Sequence, residues 1–196
     1  FKVVYRRHTN FSMESIEQTF NGQNALAGKV TAVISRNGDL IHKMYVNVSF
    51  TGTGAAENGN YGTALLEHIE LEIGGQRIDR FYGDWLETWA ELTEVNPGGK
   101  VARLSDAETF GGTGSTLYQK MTGSGGIMSN KSGHAHSELT IPLPFWFCKN
   151  VGLSLPLIAL QYHEVKLDIK FSEQTNIGSG SAIGPASLWV DYIYLD

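Results

Sequence analysis

The chain has 196 residues, 15 Lys and Arg against 20 Asp and Glu, a formal net charge of −5 and 41% hydrophobic residues, which excludes a disordered chain and allows a full core. The acidic balance excludes a general nucleic-acid binder, which needs a basic face for phosphates, and no apolar run reaches the ~20 residues of a membrane-spanning helix. A lone Cys148 excludes an internal disulfide, while 23 glycines, roughly 12% against a usual ~7%, announce long loops.

Residues 1–11 read as an N-terminal arm. Its Lys2, Arg6, Arg7 and His8 form the one basic cluster, suited to an acidic neighbour or to phosphate contact without sequence reading. The first residue is Phe1, not Met, so the expectation is a processed, truncated or partial chain, with no signal peptide visible. Period-2 alternation then predicts a first strand over 12–20, with Ile16 and Phe20 on one face, and a second over 30–35, with Val30, Ala32 and Ile34 inward. Arg36-Asn37-Gly38-Asp39 reads as a hairpin turn. Met44, Val46, Val48 and Phe50 define a third strand; Ile69, Leu71 and Ile73 define a fourth, joined by Gly74-Gly75 to a fifth over 76–81.

A helix follows over 84–95. Asp84 stands in cap position with Glu87 in capping-box spacing, and Leu86, Trp89 and Leu92 share a face. Residues 96–136 form a long Gly-rich connection, of a length that is functional or disordered when it occurs. Leu139, Ile141, Leu143 and Phe145 alternate with Thr140, Pro142 and Pro144, which predicts a bent or edge strand. Val165, Leu167, Ile169 and Phe171 oppose Glu164, Lys166, Asp168 and Lys170 in a half-buried strand, and Trp189 to Leu195 is apolar on both faces, as expected of a strand covered on both sides. Eight strands without βαβ alternation predict an all-β, antiparallel jelly-roll sandwich, one domain over 1–196, with one short helix in a long loop.

Candidate chemistry is sparse. His134-Ala135-His136 with Glu138 resembles half of a metal site, since two His one residue apart on a strand share a face. A cupin-like metal enzyme, the remoter alternative, places the Glu three or four residues beyond the second His, and here the gap is two. His42, His68 and His163 fall on polar strand faces, and Cys148 reads as an inert buried thiol. The glycine run 111–114 with Ser115 and Thr116 lacks the Lys of a phosphate loop, and no helix start is evident there; Gly152-Leu153-Ser154-Leu155-Pro156 lacks the second Gly of a nucleophile elbow. Asn10, Asn47 and Asn130 begin glycosylation sequons, with Asn130 the best placed and Asn47 mid-strand. Of four Trp, Trp89 reads as helix core and Trp189 as sheet core. Trp146 is left as the ring a carbohydrate-binding jelly roll would use. No catalytic, cofactor-binding or metal-ligating residue is assigned, and no enzyme activity is expected.

Two segments carry a resemblance. Phe1-Lys2-Val3-Val4-Tyr5-Arg6-Arg7-His8-Thr9-Asn10-Phe11, continuing to Phe20, and Pro142-Leu143-Pro144-Phe145-Trp146-Phe147-Cys148-Lys149-Asn150, continuing through Leu157 to Val165, resemble the major capsid protein of nucleocytoplasmic large DNA viruses, a group including phycodnaviruses, iridoviruses and mimivirus-like giants. Residues 188–196 also resemble the strand that closes the family's first jelly roll. The resemblance implies a double jelly roll, of which this chain is the first half and the second jelly roll is absent. It further implies homotrimeric pseudo-hexagonal capsomers tiling an icosahedral shell, with minor capsid proteins on the inner side, an internal membrane nearby and no specific nucleic-acid partner. Assembly in the host cytoplasm and residence in the virion belong to the same expectation, as does a position near the capsomer base for residues 2–11.

Overall fold

Alternation at period two becomes two stacked sheets in the computed structural model, which describes residues 10–52, 60–95, 116–125, 138–177 and 181–195. The elements in chain order are β1 (Phe11–Thr19), β2 (Asn21–Gly22), β3 (Lys29–Val33), β4 (Leu40–Gly52), α1 (Tyr61–Ala64), β5 (Leu66–Ile73), β6 (Gln76–Tyr82), α2 (Gly83–Thr93), α3 (Leu117–Thr122), β7 (Glu138–Pro142), α4 (Trp146–Lys149), β8 (Leu155–Pro156), β9 (Val165–Phe171), α5 (Gln174–Ile177) and β10 (Ser181–Leu195). One sheet runs β1-β10-β4-β7, with the two-residue β8 beside β4; the other runs β2-β3-β9-β5-β6.

Leaving out the two-residue strands β2 and β8, the eight longer strands pair first with last: β1 with β10, β3 with β9, β4 with β7 and β5 with β6, all antiparallel. That nesting describes one long hairpin rolled into a sandwich, which is the jelly roll expected from the strand count. Its turn is the tight Gly74-Gly75 link. Both residues have positive φ, 61° and 80°, conformations that glycine adopts without a Cβ clash.

The inward residues are those the alternation selects. Met44, Val46, Val48 and Phe50 of β4 face Ile69 and Leu71 of β5 and Leu167, Ile169 and Phe171 of β9 within one core, all buried. The edge position expected for the Pro-containing strand is found: β7 closes its sheet, and Leu139, Ile141, Leu143 and Phe145 are buried.

Four local expectations are corrected. Arg36-Asn37-Gly38-Asp39 is not a hairpin, because β3 and β4 lie in different sheets and neither Asn37 nor Gly38 has a positive φ. The segment crosses between sheets, and Ser35 anchors it. The Ser35 amide and hydroxyl donate to buried Gln18 Oε1 at 3.1 and 2.5 Å, and Tyr192 OH donates to the Ser35 carbonyl at 2.6 Å. Helix α2 starts one residue before Asp84, with Tyr82 as its uncapped N-cap residue, and Asp84 lies in its first turn. Its buried face is Gly83, Leu86 and Ala90, whereas Leu92 is 71% exposed, since only one stripe of a helix laid on a sheet edge can face the core. Five α-helices and two single 3-10 turns, not one helix, occur among the described residues. One of them, α3, lies within the 96–136 connection, opened by a Thr116/Gln119 capping box in which each side chain bonds the other's backbone N–H.

Helices α1, α2 and α3 are tied together by polar bonds. Glu87 accepts from Asn60 Nδ2 and Thr63 Oγ1, both at 3.2 Å, and Ser124 Oγ accepts from the Thr63 amide at 3.0 Å. Gly62 sits where a Cβ would lie 1.9 Å from the Thr122 carbonyl oxygen. Gly62→Ala is therefore expected to push α1 and α3 apart and to cost about 1–3 kcal/mol, the usual range for overpacking, read as a lowered urea midpoint at unchanged slope.

Candidate functional site

The two outer sheet faces differ in chemistry. Across β3, β9, β5 and β6 the exposed rows alternate in charge. Asp168 lies between Thr31 and Glu70 in register, and Lys166 between Val33 and Glu72. Lys29 Nζ bonds Asp168 at 2.8 Å, Arg77 and Arg80 reach Glu70 at 3.0 and 3.4 Å, and Lys166 reaches Glu164 at 3.1 Å. Such a lattice is compatible with water and is weakly stabilising pair by pair. Partial burial works to raise the Asp168 pKa, but hydrogen bonds from Lys29 and Thr31 outweigh it and hold the carboxyl below its ordinary 3.8. A depressed folded-state pKa gives stability that is full above the ordinary value and is lost as pH falls through the lower folded one. Asp168→Asn is expected to lower stability at neutral pH and to flatten its decline below about pH 4, as thermal melts across pH 2–7 would show.

The outer face across β1, β10, β4 and β7 is apolar at one end. Phe11 pairs with Leu195 and Met13 with Ile193; Glu17, Trp189, Tyr45 and Pro142 make one row across all four strands. Phe11 is 61% exposed, Met13 50% and Leu195 54%. Trp189, expected in the core, is also on this outer face and 36% exposed, so β10 is covered on its inner side and only in part on its outer one. A register shift against β4 lies between Asp191 and Tyr192; Tyr192 faces the core, and Ile193, in register with Met13, is 4% exposed. Among the described residues nothing pairs with the outer edge of β1 beside this apolar end, a condition typical of an interaction surface on a folded domain.

A second feature lies where β6, α2 and α4 meet. Trp85 and Trp89 rings are 5.8 Å apart, Arg80 stands over Tyr82 at 5.0 Å and Lys149 over Trp89 at 4.0 Å. Trp146 is half-buried and packs edge-on against Phe147 at 5.1 Å, so it supports α4 more than it faces solvent. Trp89, expected in the core, is only partly buried beneath Lys149.

The remaining candidates separate. His134, His136, Asn130 and the basic cluster Lys2, Arg6, Arg7 and His8 lie outside the described residues; Glu138 is exposed at the start of β7. Among the described residues no group of three or more His, Cys, Asp and Glu could hold a metal ion, and no helix is long and apolar enough to cross a membrane. His42 and His68 are half-buried and His163 is exposed. Burial pushes the Cys148 thiol up to about 12, which makes it unreactive near neutrality. Ser154 Oγ donates to the Val151 carbonyl at 2.7 Å, a local turn bond. Asn47 donates to Thr140 Oγ1 at 3.2 Å within the sheet, whereas Asn10 is exposed.

These features define a jelly-roll domain with no catalytic constellation among the described residues, one outer face charged and the other apolar at one end. Comparison with known proteins gives the family. Residues 1–196 match the family described as Major capsid protein N-terminus, and the chain belongs to it. It is 48% identical over 200 residues to a major capsid protein of Pyramimonas orientalis virus, covering 100% of this chain and 47% of that protein. It is 42% identical over 210 residues to the major capsid protein of Paramecium bursaria Chlorella virus 1, covering 100% and 43%. A solved structure, a quasi-atomic model of the PBCV-1 virus capsid, superposes with a TM-score of 0.73 at 39% identity, over 100% of this chain and 45% of that one. The chain thus spans about half the length of the curated relatives it matches.

Proposed function

We propose that this chain is the first jelly-roll unit of a major capsid protein and serves as a structural, non-enzymatic component of a large DNA virus shell. The observation that carries this reading is the whole-chain membership of the major capsid protein family. The solved PBCV-1 capsid of the same fold at 39% identity supports it. Residues 1–196 act as one domain, and the full-length protein adds a second jelly roll. Subunits associate as trimers of pseudo-hexagonal outline, which contact neighbouring capsomers and, on the inner side, minor capsid proteins close to an internal membrane. Assembly takes place in the host cytoplasm and the product resides in the virion.

The physical design agrees with this role. A shell repeats each contact many times under symmetry, so modest faces suffice and rigid sheets matter more than any single site. The apolar end of the β1–β10 face, with Phe11, Met13 and Leu195, is the part of this unit that other capsid surfaces cover. Electron microscopy of the full-length protein tests the proposal. Trimers and shell incorporation are expected; a monodisperse monomer that never enters particles would overturn it.

A further inference from the structure

The cavity under α2 goes unused by any sheet-face contact. It holds about 480 Å³, within the ~300–1,000 Å³ common for small-molecule sites. Leu86 and Ala90 of α2, Met121 of α3, Met44 of β4, Ile141 of β7 and Leu143 just beyond it supply an aliphatic and thioether lining. Methionine side chains adapt to a flexible ligand better than branched ones. Lys43, Lys149 and Glu94 also line it, two cations against one carboxylate. Among the described residues neither lysine has an ion-pair partner within salt-bridge distance, and Lys149 is held over the Trp89 ring at 4.0 Å.

We propose that this cavity binds a single-chain anionic amphiphile of the long-chain fatty carboxylate class, its hydrocarbon chain among Leu86, Ala90, Met121 and Ile141 and its carboxylate at Lys43 and Lys149. Apolar lining gives the chain a dry environment. The low polarity of that environment is also felt by two lining groups, since burial raises the pKa of both Tyr118 and Cys148. A lysine ammonium is a compact point charge that suits a carboxylate at a pocket mouth, and the net positive balance there favours an anion over a neutral alcohol.

The test uses the full-length protein and dodecanoate below its micelle concentration, followed by calorimetry and by Trp fluorescence. Saturable binding of one dodecanoate per chain is expected. Ala90→Leu, which fills the cavity, should weaken it by at least about tenfold; if circular dichroism shows that variant unfolded, Met121→Trp fills the same space from α3. Lys43→Gln with Lys149→Gln should weaken dodecanoate roughly three- to fivefold and leave dodecanol unchanged. Unsaturable binding, wild-type affinity in the folded filled variant, or equal losses for acid and alcohol would each overturn the proposal. So would binding to phosphatidylcholine–phosphatidylglycerol vesicles with none to monomeric dodecanoate, which would assign the affinity to a membrane surface.

Discussion

Phe145→Ala is expected to cost about 3–5 kcal/mol of folding stability, the upper range for truncating a buried aromatic ring. Phe145 is fully buried where the chain leaves β7 and turns into α4. Its ring meets Phe81 edge-on at 5.0 Å and stacks on Phe147 at 5.4 Å, separations at which ring pairs add ~0.5–1.5 kcal/mol beyond burial. Phe81 belongs to β6 and Phe145 follows β7, edge strands of different sheets that do not pair with each other, so this cluster holds the two sheets together there. A cavity there removes contacts from both sides and cannot collapse without moving a sheet. Leu92→Ala serves as the comparison. Leu92 shares its helical stripe in the sequence with Leu86 and Trp89, yet it is 71% exposed, and its loss should stay within about 0.5 kcal/mol. Urea unfolding of both variants checks the pair; similar midpoints would show that the core does not lie as described.

Met13→Asp combined with Leu195→Asp is expected to leave the fold standing and to abolish assembly. Both side chains point outward, half exposed, on strands β1 and β10, so the folded unit loses little, within the ~1 kcal/mol span of strand propensities. An interface formed over them would have to bury two unpaired carboxylates. Removing a central apolar anchor costs ~2 kcal/mol or more at an interface, and an unpaired charge adds its own desolvation. In a symmetric shell that penalty recurs at every equivalent contact. Lys166→Ser, on the charged face of the other sheet, should assemble normally. Light scattering and electron microscopy of the full-length variants read the outcome; normal particle yield from the Asp pair would show that this face stays open to water.

What the sequence revealed was whatever depends on near neighbours. The alternations at 44–50, 139–145 and 165–171 each name a buried face, because a strand's side is a matter of parity. The Gly74-Gly75 turn was readable for the same reason. Asn37-Gly38 carries equally good turn chemistry but makes no hairpin, since β3 pairs with β2 and with β9, over a hundred residues away, and not with β4. Local propensity permits a turn there; long-range pairing decides that the chain crosses to the other sheet. Helix α3 had a visible signal in Thr116 and Gln119 but was hidden among glycines. Trp189 was misassigned because an apolar residue on an outer face looks the same in sequence as one in the core. Its exposure depends on what lies above the sheet, not on its neighbours in the chain. The cavity beneath α2 left no sequence signal at all, since its lining comes from three helices and two strands.

The rolled-hairpin pairing also sets a timetable for synthesis. Ser15 and Asp191 face each other across β1 and β10 although 176 residues separate them. At ~5–20 residues per second, the first strand leaves the ribosome roughly 10–35 s before β10, its sheet neighbour among the described residues, exists. During that interval Phe11 and Met13 lack the strand they pair with, while the short β2–β3 pairing and then the hairpin of β5 and β6, which closes through two glycines, become available. Local pairings are thus on hand well before the one that joins the two ends. A nascent chain stalled before β10 would display β1, with Phe11 and Met13, without the strand that pairs it, the condition that favours edge-to-edge aggregation.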